Sequence, residues 1–317
     1  MDGLSFVSFI IPARNEEKMI GACLGAINEL DYDRNSFECI LVDNGSVDDT
    51  PEIGRAKGAK VLTVPGATIS ALRNFGAKEA KGDFLAFIDA DCVVDKNWLK
   101  NALRHFQNPE VGCVGSHPSI PEKCSWVQRA WSLQTRRTSD VEEVHWLPSM
   151  NILVRGKAFE NVRGFNESLI TCEDVDLCYR LKKSKYKIVS DNTVQSLHFG
   201  EASTVREFFM KERWRGQSNL QGFCSHGFYW QELPSLTLPV LYLILILALP
   251  ITGSYSLSTE GFYLPFLMNL GFLLLPPWLL AIRTSFNVGT FSRLGELALL
   301  YLIYLFARTA AIIALKP

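Results

Sequence analysis

Short apolar runs that stop abruptly in polar clusters recur through the N-terminal part of the chain. Phe6-Val7-Ser8-Phe9-Ile10-Ile11 is closed by Pro12, and Cys39-Ile40-Leu41-Val42 by Asp43-Asn44-Gly45-Ser46. Phe84-Leu85-Ala86-Phe87-Ile88 is closed by Asp89-Ala90-Asp91, and Lys60-Val61-Leu62-Thr63-Val64 is a further run of this kind. Their length and their β-branched and aromatic content predict buried strands. Between them, apolar residues recur at helical spacing, as in Ile20, Cys23, Leu24 and Ile27. Asn15 is placed to cap the first helix, and Pro51 suits the first turn of the second. A third helix is expected from about Ile69 to Lys81, with Ala71, Phe75 and Ala80 turned inward. Strict alternation of strand and helix implies right-handed crossovers, and therefore an α/β fold of Rossmann type with a mostly parallel sheet flanked by helices.

The pattern continues with a helix over Lys96 to Gln107, a strand over Val111 to Gly115, a helix over Ser125 to Ser139 and an extended stretch over Val144 to Val154. Cys172-Glu173-Asp174-Val175-Asp176 crowds acids into the first turn of another helix, where the dipole stabilises ionised carboxylates. Lys187-Ile188-Val189 reads as a last short strand, and Thr204 to about Gln221 as a helix. The polarity then changes. Leu233 to Thr259 and Gly261 to Ile282 carry no charge, with Glu260 between them, and Leu297 to Leu315 is apolar apart from Arg308. A span needs about 20 residues, so two or three membrane helices are expected, at about 236–257, 262–282 and 297–315. The expected organisation is a catalytic domain over 1–222, an interfacial segment over 223–235 rich in Phe223, Phe228, Tyr229 and Trp230, and a membrane region over 236–317. Arg308 inside the third segment is costly in lipid unless it faces other helices or a headgroup. Prolines in these segments leave re-entrant or interfacial helices as the alternative. Lys211, Arg213 and Arg215, with Arg283 and Arg293, place the large domain on the cytoplasmic side of a cell or inner membrane crossed more than once.

Composition narrows the partners. The 32 basic and 33 acidic side chains nearly cancel, so no basic field calls for nucleic acid. The eight cysteines are scattered without C-x-x-C spacing, which suggests neither a zinc site nor a redox motif and fits a reducing compartment. Met1 to Ser8 has no basic stretch or long apolar run, so no signal peptide is expected.

The chemistry concentrates where the strands end. In parallel α/β sheets ligands sit at the carboxyl ends of the strands. The loops Pro12-Ala13-Arg14-Asn15, Asp43-Asn44-Gly45-Ser46 and Asp89-Ala90-Asp91 converge there. Asp89 and Asp91, one residue apart at a strand end, can both reach one hard cation. Neither a G-x-x-x-x-G-K-[ST] loop nor a G-x-G-x-x-G turn is present, so phosphate charge has to be met by that cation or by Arg73.

Phe9-Ile10-Ile11-Pro12-Ala13-Arg14-Asn15-Glu16, Val42-Asp43-Asn44-Gly45-Ser46-Val47-Asp48-Asp49-Thr50, Arg73-Asn74-Phe75-Gly76, Asp89-Ala90-Asp91 and Cys172-Glu173-Asp174 stand in order. In that order the chain resembles the family 2 glycosyltransferases over about residues 5–220. The resemblance implies the GT-A fold, a nucleotide-diphosphate sugar donor (a UDP-sugar favoured) and inverting transfer to a lipid-linked or glycan acceptor. It implies Asp43 at the nucleobase, with Pro12, Arg14, Asn15 and Glu16 along base and ribose. Asp89 is implied beside ribose and metal, Asp91 as a ligand of Mg²⁺ or Mn²⁺, and Asp174 as the base with Glu173 beside it. His198 is a further candidate for metal or phosphate. Processive synthases of the family carry Q-x-x-R-W, whereas here Met210-Lys211-Glu212-Arg213-Trp214 has methionine in the glutamine position. That departure implies non-processive transfer and leaves Arg213 and Trp214 as diphosphate or acceptor contacts.

Each motif has a plainer reading. Asp43 and the Asp89/Asp91 pair are also turn residues, and Glu173/Asp174 also ordinary helix N-terminal acids. Arg14 and Arg73 can simply pair with nearby acids, Arg213/Trp214 can be interfacial anchors, and Asp48, Asp49 and Asp176 can be capping or solvated residues. The alternative function is a membrane scaffold that keeps a nucleotide-sugar pocket without turnover.

Overall fold

The computed structural model describes residues 5–136, 139–218, 221, 233–259 and 262–313. The aromatic cluster Phe223, Phe228, Tyr229 and Trp230 lies outside them. The chain divides into two compact units. The first comprises 1–121 and 139–201; the second comprises 122–138 and 202–317.

The first unit is built on one eight-stranded sheet. Its strands are β1 (Val7–Ala13), β2 (Phe37–Asp43), β3 (Lys60–Thr63), β4 (Phe84–Ile88), β6 (Val111–Gly115), β7 (Val141–Glu143), β8 (Asn151–Arg155) and β9 (Lys187–Asp191). Their order is β3-β2-β1-β4-β8-β6-β9-β7. β1 is parallel to β2 and β4, and β2 to β3, as alternation with α1 (Ile20–Asn28), α2 (Thr50–Ala56) and α3 (Ile69–Lys78) requires. β8 runs antiparallel between β4 and β6, and β7 antiparallel on β9. Every residue of β1 and β4 is buried, which is why their sequences read as continuous apolar runs. Burial on both faces comes from two core clusters, one around Phe9, Ile11 and Trp98, the other around Ile10, Phe87 and Ile152.

Three local expectations change. Asn15 does not cap α1; Met19 precedes that helix, and Asn15 is left-handed with φ 57°. Its backbone N–H donates to Ser46 Oγ and its amide oxygen accepts from the Val47 N–H, both at 2.9 Å, so it clips the β1 loop to the β2 loop. The inward face of α3 is Leu72, Arg73 and Gly76, while Phe75 is exposed. Gly76 is what lets α3 lie on the sheet, because a Cβ there would sit 2.5 Å from Ile10 Cγ2 and 3.0 Å from Val42 Cγ2. Gly76→Val should therefore destabilise the unit by about 1–3 kcal/mol, measurable as a lowered urea midpoint at unchanged slope. Asp176 is buried and ion-paired to Arg180 at 2.6 Å, so it is not solvated.

Strands of three residues are too short for the pattern to mark. β7 is one, and β5 (Cys92–Val94) and β10 (Ser196–His198) are two more. β10 pairs antiparallel with β5, setting His198 opposite Cys92. α4 (Trp98–Leu103) follows β5, α6 (Gly156–Asn161) follows β8, and α7 (Glu173–Lys183) leads into β9.

The second unit contains α5 (Trp126–Trp131), α8 (Val205–Arg215), α9 (Leu233–Ser258), α10 (Leu264–Val288) and α11 (Leu294–Ile313). The last three are long and apolar enough to cross a membrane. Arg308 does face another helix: its guanidinium donates to Glu212 of α8 at 2.9 Å. The seven cysteines among the described residues are free thiols.

Candidate active site

The loops after β1, β2 and β4 meet around a cavity of about 230 Å³. Its walls include Pro12, Arg14, Glu16, Asn44, Asp89 and Asp91, with Ile69 and Leu72 supplying an apolar side. Pro12, Arg14, Glu16, Asp89 and Asp91 come together on this one cavity. Asn44, Ile69 and Leu72 are additions, and the apolar pair has no polar signal in the sequence to mark it. Asp43 is buried and turned into its own loop, accepting from the Gly45 N–H at 3.1 Å and the Ser46 N–H at 3.2 Å. That Asx turn holds the β2 loop in shape. Asn44 closes the rim by exchanging hydrogen bonds with the Ala67 backbone, both at 3.1 Å.

Arg73 is the centre of the electrostatics. It is 2% exposed, and it donates to Asp89 Oδ1 and to Glu173 Oε1, each at 2.8 Å. Its guanidinium also lies 5.5 Å from the Phe165 ring centre. Here the plainer reading applies: Arg73 pairs with acids of its own chain. The pairing ties the end of β4 to the start of α7, two points far apart along the sequence. Burial acts to lower the guanidinium pKa, but both partners outweigh it and raise the already high value, holding the group charged.

Asp174, next to Glu173, keeps part of its surface open. Burial of the rest and the neighbouring Glu173 charge raise its carboxyl pKa to about 7, against the lowering influence of Arg73. A carboxylate poised near neutrality suits a general base. Cys172, just before this helix, is left-handed with φ 66°, an unfavourable conformation for a side-chain-bearing residue that sets the entry angle of α7.

On the other side of Asp89, Asp91 meets His198. Asp91 Oδ2 lies 3.2 Å from His198 Nε2, and Nδ1 of the same ring lies 3.1 Å from Glu201. Burial acts to lower the imidazole pKa, but the two carboxylates outweigh it and push the ring up to about 9. Glu16 is pushed up to about 7, by burial first and then by repulsion from Asp91 and Asp89. Such mutual repulsion among acids is relieved by a bound cation.

The residues fit a divalent cation. Donor atoms of Asp91, Cys92 and His198 all lie within 4.8 Å of one another. A carboxylate and an imidazole suit Mn²⁺, which would displace the His198 proton on binding, and the carboxylate suits Mg²⁺. Cys92 stays a neutral thiol, its pKa driven far up by burial and the adjacent acids, and is a poor ligand for a hard ion. Gly200 keeps the space clear, since a Cβ there would come within 2.0 Å of Asp91 Oδ2. Glu201 orients the ring from its far side, the usual support for a ligating histidine. Asp89 joins this group less directly, because one of its oxygens is held by Arg73. Arg213 and Trp214 lie on α8 in the second unit, Trp214 exposed and Arg213 half-buried.

Residues 8–165 match the family model described as Glycosyl transferase family 2. The glycosyltransferase AglE of Haloferax volcanii is 30% identical over 211 residues, which cover 62% of this chain and 69% of AglE. The chain belongs to the family 2 glycosyltransferases. It is an enzyme of that family, and the scaffold alternative is set aside. The beta-monoglucosyldiacylglycerol synthase of Nostoc sp. is 27% identical over 202 residues, covering 58% of this chain. This chain spans only 43% of that relative's length. Among solved structures, the mannosyltransferase PcManGT from Pyrobaculum calidifontis, in complex with GDP-Man and Mn²⁺, aligns over 99% of this chain and 88% of its own, with a TM-score of 0.62 at 18% identity. At that identity the likeness shows the shared fold, which is GT-A.

Proposed function

We propose that this family 2 glycosyltransferase moves a sugar from a nucleoside-diphosphate donor to a lipid-linked or membrane-proximal acceptor, with inversion and without processive extension. The observation that carries the reading is Arg73, which joins the acidic loop at the rim of the cavity to the helix that bears the candidate base. Arg73 ties Asp89, beside the cation-binding Asp91, to Glu173, beside the base Asp174, and a cation site and a base set on one cavity are what a single displacement on a sugar diphosphate needs. Domain 1–222 is the catalytic part in this reading, attached to the membrane through 236–317.

In this mechanism the donor lies in the cavity along Pro12, Arg14, Asn15 and Glu16, with the nucleobase toward Asp43 and Asn44. Asp91 and His198 would hold Mg²⁺ or Mn²⁺, with Asp89 beside them. The ion supplies Lewis-acid stabilisation of charge on the departing diphosphate. Asp174 accepts the proton of the acceptor hydroxyl as its oxygen attacks the anomeric carbon. One displacement inverts the configuration, so no nucleophile from the protein is required. Glu173 is engaged by Arg73 at 2.8 Å, which leaves Asp174 as the candidate base.

A lipid acceptor is supported by the apolar helices of the second unit and by the glycolipid synthase among the relatives. Mn²⁺ is supported by the ion in the PcManGT structure. The test is release of nucleoside diphosphate from UDP- and GDP-sugars with Mn²⁺ or Mg²⁺, with and without polyprenyl phosphate and diacylglycerol acceptors. Absence of release from every donor in the presence of metal would overturn the proposal. Asp91→Asn should reduce metal-dependent turnover by roughly 10²-fold or more, as loss of a directly coordinating charge does. A manganese titration at saturating donor reads that out.

A further inference from the structure

The three apolar helices of the second unit are not equivalent. In the most apolar window of α9 and of α10, 11% and 22% of residues are buried inside the protein, against 44% in α11. The large apolar side chains that α11 leaves exposed are Leu299, Phe306 and Ile313, spaced seven apart and so lying on one narrow stripe. The face nearly opposite that stripe carries Arg308 and is covered by α8. Glu212 accepts from Arg308 at 2.9 Å and from Arg215 at 2.6 Å, and is itself buried. Phe208 and Tyr301 both pack on Trp131 of α5, and Gly216 abuts Ala311 and Arg308. Contact with α5 and α8 together therefore runs from Tyr301 to Ala311, roughly 15 Å of helix at 1.5 Å per residue.

That length decides the placement. α11 has 20 residues, about enough for a hydrocarbon core of ~30 Å and no more. If it crossed, Lys211, Glu212, Arg213 and Arg215 and the irregular backbone before Val205 would be carried into the hydrocarbon, where neither charges nor unsatisfied peptide groups are tolerated. A second contact agrees. Thr309 Oγ1 donates to the Pro239 carbonyl at 3.1 Å. Pro239 belongs to the first third of α9, whereas Thr309 belongs to the last third of α11. In a three-span bundle these two helices would enter from the same side, and their early thirds would meet.

We propose that only α9 and α10 cross the bilayer, as a hairpin. α11, with α8 and α5 along it, rests on the membrane surface on the side from which α9 enters, with Leu299, Phe306 and Ile313 dipped into the lipid. The partner of this stripe is a lipid monolayer. Exposed apolar residues of the hairpin such as Leu241 and Ile244 continue it into the membrane, and Lys211 and Arg213 on α8 suit anionic headgroups. The two ends of the chain then lie on the same side.

The test uses the full chain in membrane vesicles of known sidedness, with an epitope tag before Met1 or after Pro317, and Ser258→Cys scored against the parent with a membrane-impermeant maleimide. The expected result is that both tags are digested by protease from the same face and that labelling of the introduced thiol appears only from the other. Tags on opposite faces would mean that α11 crosses, and would overturn the proposal. Labelling at position 258 from the face that exposes the tags would overturn it too, because the hairpin would then not cross. Neither readout depends on turnover, so a failed activity screen and a failed topology are distinguishable.

Discussion

Asp174→Asn should lower turnover by about 10²–10⁴-fold, the range that a positioned general base contributes, while donor binding in the presence of Mn²⁺ is retained. Asparagine keeps the shape of the side chain and its hydrogen bond with the Val175 N–H but cannot take a proton. The pH dependence has a definite sign. With a folded-state pKa of about 7, raised above the ordinary carboxyl value, the base is protonated and inactive on the acid side. kcat/KM should therefore rise about tenfold per pH unit up to about 7 and level off above it. Stability has the opposite sign, because a raised carboxyl pKa favours the folded state while the group is neutral. That contribution is full at low pH and is lost as pH rises from the unfolded-state value toward about 7. The asparagine variant should thus be as stable as the parent or more stable above pH ~7, and inactive throughout. Wild-type turnover in Asp174→Asn would remove this residue from the base role.

Arg73→Met should have the largest effect on folding. The guanidinium is buried and holds two carboxylates, so its loss leaves Asp89 and Glu173 facing each other without a counter-charge. Removing one partner of a buried ion pair costs about 3–5 kcal/mol, which for a unit of this size lowers Tm by on the order of 10 °C. Thermal unfolding followed by circular dichroism would show it. Arg73→Lys keeps the charge but not the fork that reaches both acids, and should fall between the two. Its residual activity carries a second signature. Because Arg73 lowers the Asp174 pKa, weakening its hold should move the pH profile to the alkaline side. A variant of parental stability with an unmoved profile would show that the bridge positions nothing.

Much of the first unit is legible from pattern alone. Buried strands such as β1 and β4 must be apolar throughout, and their ends must turn polar to meet solvent or ligand, so the loops that carry Arg14 and Glu16 and Asp89 and Asp91 open on one cavity. Where the pattern misleads, the cause is local. Asn15 is a good cap by type, yet its left-handed conformation and its bond to Val47 depend on a loop 32 positions away. The inward side of α3 is hidden because an arginine is rarely buried and a glycine has no apolar side chain to mark a face; the ion pairs and the close approach to Ile10 account for both.

The α/β alternation, the acidic strand ends, the acid-rich start of α7 and the apolar C-terminal segments are all written in short stretches of sequence, because each is a property of neighbouring residues. Tertiary structure alone decided which of those features meet. β10 reaches Asp91 with His198 only through an antiparallel pairing on three-residue β5, too short to carry a pattern. Glu173 is joined to Asp89 only through Arg73, and Arg308 is made tolerable by Glu212, 96 positions earlier. Charge pairing between distant elements acts through space, and the spacing of residues along the chain does not encode it.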